Sequence, residues 1–313
     1  MRDVIVAGLA AVAGAMLAAD LPFVGLPLAA AALGWLALRK GPVVASVAAL
    51  AATAITVPLL GWQPAVYIGP ALVAAGPGTA WALKRWSVVR VVAGLTVVLV
   101  AVAVGYDAVV AAVSGSTFLA ARTAEASAMK AVVLQSGAQS GTDAKTVREL
   151  ADQVAQLWLM LWPALYLYVS GLAAVLSVPL VSRLGRTLGE PVSEVVPLAE
   201  LDLSIHAVWP TIAGLALLAL AAYQHQPAGI AQAVGLNLLL AVRPVLFFQG
   251  LGDFAALYRK AGVGRFARGF GFTFLVLSEF AVPSVSVVGL VDLFANLRKL
   301  PRADTARTGS TKA

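Results

Sequence analysis

Apolar residues fall into nine long runs separated by short polar breaks, at 4–19, 21–38, 42–60, 64–83, 88–113, 157–181, 207–223, 226–260 and 269–297. A helix needs roughly 20 apolar residues to cross the hydrocarbon layer of a bilayer, and most of these runs approach or exceed that. None shows the two-residue alternation of a half-buried strand. Pro42 and Pro64 open two of the runs at first-turn positions, where the missing N–H is no loss. The pattern predicts an all-α, polytopic helical integral membrane protein of about eight to nine transmembrane helices.

The polar breaks carry orientation. Arg39, Lys40, Lys84, Arg85, Arg183 and Arg186 lie in alternate loops; Asp20 and the uncharged 61–63 lie in the others. Basic residues stay with the cytoplasmic face, so the N-terminus is expected there, in a bacterial cytoplasmic (inner) membrane. Asp3 and the lack of an A-x-A site before Asp20 argue against a cleaved signal peptide. Residues 114–156 form the one long polar insertion, on the outer side. They read as two helical pieces, either a lid over a cavity or extensions of the flanking helices. Four regions follow: a six-helix membrane part at 1–181, a cytoplasmic loop at 182–206, C-terminal membrane helices at 207–299 and a basic tail at 300–313.

The last run is ambiguous. Four basic residues precede it, and Arg298, Lys299, Arg302, Arg307 and Lys312 follow it. A single tilted crossing is favoured over a re-entrant hairpin broken near Pro283, because 284–289 lacks turn chemistry.

Composition agrees: of 313 residues 60% are hydrophobic and 12% charged, half the charge of a soluble domain. The net charge of +7 sits in short loop clusters rather than on a continuous basic face, which excludes nucleic acid as a partner. There is no cysteine, and His206 and His225 stand far apart, so no metal site or cofactor is expected. Gly262, Gly264 and Ala267 match a loose dinucleotide fingerprint, but they follow a membrane helix rather than a strand. No nucleophile elbow, zincin or Walker motif occurs, and the chain does not read as an enzyme.

The chemistry concentrates in the run at 226–260. Arg243 and Pro244 stand side by side in mid-run, and a guanidinium in hydrocarbon costs about 2.5–3.5 kcal/mol on insertion scales. Pro244 removes a helical hydrogen bond, so a break or kink is expected beside the charge. Arg243 lies sixteen residues before Arg259, about 24 Å, and Glu279 lies eleven after Arg268, about 16 Å. Both are inside hydrocarbon, where opposite charges neutralise each other. Gln249 and Asp253 are one turn apart. The functional expectation is one polar pocket of Arg243, Gln249, Asp253 and Glu279 on a ligand or ion pathway; the structural one is an ion pair fixing helix register. Elsewhere, Ala7, Ala11 and Ala15 form a small-residue stripe fit for docking another helix. Asp292, Asn296 and Arg298 end the last run and are expected to face phospholipid headgroups.

Trp162-Pro163, the exit at Arg183 and Arg186, the entry from Pro197 to Pro210 and Asn237 with Phe247-Phe-Gln249-Gly250 stand in a familiar order, closed by Gly289-Leu-Val-Asp292-Leu-Phe-Ala-Asn296-Leu-Arg298-Lys299. This pattern resembles the YybS-like family of bacterial multi-pass membrane proteins, a domain of unknown function. Asn296 departs from it, standing where an acidic residue is common. The first six helices are similar to the substrate-binding subunits of energy-coupling-factor vitamin transporters. That likeness implies cytoplasmic termini, a helix-one docking stripe and a ligand pocket under the 114–156 insertion. The functional expectation is therefore a transporter-like or ligand-binding membrane subunit in the lipid bilayer, working with a membrane protein partner. The alternative is a non-transporting scaffold that docks other membrane proteins.

Overall fold

The computed structural model describes residues 2–141, 143–223 and 229–300, with Arg2 and Phe280 described by backbone alone. The outer turn at 224–227, with His225, and the basic tail beyond Leu300 lie outside the described residues. Among those described, helices joined by turns and short irregular segments form the whole fold, and no strand occurs. Among the described residues, eight helices are long and apolar enough to cross a membrane, and one bent pair could form a ninth span. The chain divides into two compact units, Met1–Val195 and Val196–Ala313.

The first unit holds six of the spans. They are α1 (Arg2–Asp20), α2 (Pro22–Lys40), α3 (Pro42–Leu60), a composite fourth, α6 (Val88–Val113) and, after α7 (Phe118–Gln139), α8 (Ala144–Thr187). The fourth span runs as α4 (Trp62–Val73), a π-helical turn (Ala74–Gly78) and α5 (Thr79–Leu83). Pro77 has no N–H to continue the α-helical ladder, and the wider turn absorbs the defect. Thr79 Oγ1 donates to the Ala74 carbonyl at 3.2 Å, satisfying one of the acceptors there.

Alanine and glycine bring the first two helices to backbone contact. A Cβ added to Gly25 would lie 2.1 Å from the backbone nitrogen of Ala18, so only glycine permits the crossing. Ala7, Ala11 and Ala15 are at most 2% exposed within this unit's own core. The stripe expected to dock a partner is used inside the chain. Arg39 pairs with Asp3 at 3.2 Å and Lys84 with Glu190 at 2.8 Å, which gathers the loop charges at one end of the unit.

The insertion is only partly a separate element. Its second piece is continuous with the sixth crossing, because Asp143 starts α8 by accepting from the N–H groups of Lys145 and Thr146. At 1.5 Å per residue α8 is about 66 Å long, twice the hydrocarbon thickness, so it extends well beyond the bilayer core. The first piece, α7, packs along it, with Lys130 bonded to Asp152.

In the second unit, α9 (Val208–Tyr223) and α10 (Ile230–Lys260) are antiparallel, with Gly214 and Gly235 in contact near the crossing. α10 continues through Pro244 without the expected break. Proline is tolerated in membrane helices where neighbouring groups re-satisfy the freed backbone. The last run is not one straight helix, and the bend leaves it either a broken span or a re-entrant loop. It forms α11 (Arg265–Ala281) and α12 (Ser284–Ala295), bent by 99° around Val282 and Pro283. Tyr258 meets Phe272 edge to face and Arg243 reaches Glu279, so α11 runs back along α10. α12 then returns, with Asp292 bonded to Gln249 and Arg298 beside Asp253. A Cβ on Gly250 would lie 2.0 Å from the Val285 carbonyl oxygen, and one on Gly289 would lie 2.0 Å from that of Leu246. Glycine therefore lets the hairpin seat directly on α10.

Candidate functional site

The four residues expected in one pocket form two clusters. Arg243 and Glu279 belong to the first. Arg243 Nε lies 3.2 Å from Glu279 Oε1, and its Nη2 donates to the Glu279 backbone carbonyl. Glu279 Oε1 also accepts the Ser286 hydroxyl, while Oε2 accepts Val285 N–H at 3.0 Å and Ser286 N–H at 3.3 Å. The carboxylate thus caps the first turn of α12 where a helix N-terminus favours negative charge. Four donors besides its own burial hold it in place; this is a structural clasp at the hairpin tip.

Gln249 and Asp253 belong to the second cluster, with two residues expected at the membrane surface. Arg298 and Asp292 have side chains only 3% and 1% exposed, so neither is a headgroup anchor. After α12 the chain turns back through Asn296, whose left-handed backbone (φ 45°) suits asparagine at a helix C-terminus. That turn carries Arg298 inward. Its Nε lies 2.7 Å from Asp253 Oδ1, Nη2 donates to Asp292 at 2.8 Å, and Nη1 donates to the Leu201 carbonyl at 2.7 Å. Gln249 donates to Asp292 at 2.7 Å and accepts Leu203 N–H at 3.2 Å. One guanidinium therefore ties α10, α12 and residues 199–201 together.

The first unit contains a cavity partly lined by α7, in the 114–156 insertion under which the resemblance implied a ligand pocket; none of its lining residues was among the expected site residues. Its volume is about 360 Å³, within the range of small-molecule sites. Five rings line it: Tyr67 from α4, Tyr106 from α6, and Trp158, Trp162 and Tyr166 from α8. Its charged lining is Asp107 from α6 with Arg122 and Glu125 from α7. Arg122 is 8% exposed and sits between the rings of Phe118 and Tyr166, with its guanidinium carbon 5.4 and 5.8 Å from their centroids. Its Nη2 donates to Glu125 and lies 3.2 Å from Asp107, which also accepts the Tyr166 hydroxyl. Its Nε is buried without a hydrogen-bond partner.

The local sequence explains the arrangement. Thr117 caps α7, its side chain accepting Ala120 N–H, and the helix then sets Phe118, Arg122 and Glu125 within two turns on neighbouring faces. Trp162 meets Phe118 and Tyr166 edge to face, at 5.3 and 5.8 Å. Two signals point here: Asp107 is the single acid in the run at 88–113, and Phe118, Arg122 and Glu125 have helical spacing. The partners come from four further helices, so adjacency in the chain could not assemble them. Among the described residues, no group of three or more His, Asp or Glu could hold a metal ion.

No curated protein and no solved structure matches the chain. A family model described as "Predicted membrane protein (DUF2232)" matches residues 9–293. The chain is thus a member of that membrane protein family.

Proposed function

We propose that this protein is a transporter-like, ligand-binding subunit of a bacterial cytoplasmic membrane, with its N-terminus on the cytoplasmic side. The observation that carries the reading is the aromatic cavity beside the Arg122 ion pair. Two carboxylates, a guanidinium and five rings converge on a space large enough for a small molecule. Six spans with a cavity between their ends also support the likeness to energy-coupling-factor substrate-binding subunits. The C-terminal motif supports the narrower YybS-like relation.

The scaffold reading has lost its best surface, because Ala7, Ala11 and Ala15 are buried within the chain. Native mass spectrometry of the full chain released from nanodiscs tests the proposal. A non-lipid small molecule should accompany the wild type and be lost in Trp162→Ala. Recovery of a coupling ATPase among co-purifying membrane proteins would support transport. An empty wild-type protein accompanied only by structural membrane proteins would overturn the reading in favour of a scaffold.

A further inference from the structure

The lining of the first unit's cavity has a sign. Arg122 is its one cation, set against the carboxylates of Asp107 and Glu125, so the wall carries one surplus negative charge. Aromatic ring faces add negative potential, and five rings surround the space. An anion entering here would bring a third negative charge to a guanidinium already engaged by two. A cation would find both a carboxylate and ring faces. Glu125 is the open member of the triad, with a side chain 42% exposed against 18% for Asp107. Arg122 Nε offers one further unpartnered donor, suited to an acceptor on a ring.

We infer that the cavity binds a small organic cation carrying a flat ring, its positive group against Glu125 and its ring among Trp158, Trp162 and Tyr106. Arg122 holds the two carboxylates apart and oriented rather than contacting the charge. The inference rests on the ligand-binding reading above and adds the ligand's class.

The test uses the full chain in nanodiscs, with isothermal titration of benzyltrimethylammonium, benzyl alcohol and benzoate as probes. Benzyltrimethylammonium should bind at least tenfold more tightly than either other probe. Glu125→Gln should remove most of that preference, while Trp162→Leu weakens binding of all ring-bearing probes. Each variant's melting temperature in the nanodisc should stay within a few degrees of wild type, which separates site loss from unfolding. Preferential binding of benzoate, or equal binding of all three, would overturn the cation assignment and leave a ligand site of another class. Failure of all three probes overturns it as well. If a small molecule still co-purifies, the ligand-binding reading survives; if none does, both fall.

Discussion

Arg243 and Glu279, 36 residues apart, meet at 3.2 Å at the tip of the hairpin. The arginine carries a third of its side chain exposed, while Glu279 is 10% exposed and also receives the first N–H groups of α12. Removing the two residues should therefore not be equivalent. Arg243→Ala should destabilise the second unit by roughly 1–3 kcal/mol, below the full figure for a buried pair because solvent screens the exposed part. Glu279→Ala should cost more, since it also uncaps α12. Thermal unfolding in detergent checks the order, and equal losses would show that the cap adds nothing.

The α10–α12 contact is set by backbone. Gly289→Ala and Gly250→Ala each place a methyl against a carbonyl oxygen that cannot rotate away. Overpacking of this kind typically costs about 1–3 kcal/mol. Both variants should expose 261–264 and 296–300 to protease while leaving the first unit protected. Gly264→Ala, with open space at its Cβ, is the control and should behave as wild type.

The chain's lack of cysteine makes a direct test of topology simple. With α11 running back along α10 and α12 returning, Ala261→Cys and Lys299→Cys should label with an impermeant maleimide from the same face of sealed vesicles. Ile230→Cys, at the far end of α10, should label from the opposite face. Labelling of Ala261→Cys and Lys299→Cys from opposite faces would restore a single crossing.

Asp143 gives a pH dependence outside the membrane. The N–H groups of Thr146 and Lys145 and the Thr146 hydroxyl hold its carboxyl below the usual carboxylate value. A depressed folded value means the capping contribution is complete above the ordinary aspartate range and is lost as pH falls through the folded value. Protection of the amides at 144–147, taken relative to exchange of the unfolded chain at the same pH, should therefore fall only under strongly acidic conditions. Asp143→Asn should keep the cap and lose that dependence; Asp143→Ala should exchange faster at every pH.

Span number and helix class were legible because membrane helices declare themselves through length, and every apolar run recurs as helix. Depth counting also matched Arg243 with Glu279, since both lie on helices entering from the same end. It failed for Arg298. Three residues past a helix end, this arginine seemed destined for headgroups, but the left-handed turn at Asn296 reverses the chain and buries it against Asp253. At Pro244 the expected break is absent: α10 runs on as one helix with α12 packed along it. The resemblance implied a pocket under the insertion, but its lining residues were illegible because they come from α1, α2, α4, α6, α7 and α8, and no local motif records that convergence.

The Glu279 cap has a consequence for biogenesis. Until residue 279 emerges and folds back, Arg243 has no counterion, and until α10 is in the bilayer, α12 has no backbone to rest its glycine on. The hairpin can therefore seat on α10 only once the chain has been made through Gly289. A chain interrupted before that point would leave Arg243 without its counterion, a cost of about 2.5–3.5 kcal/mol on insertion scales.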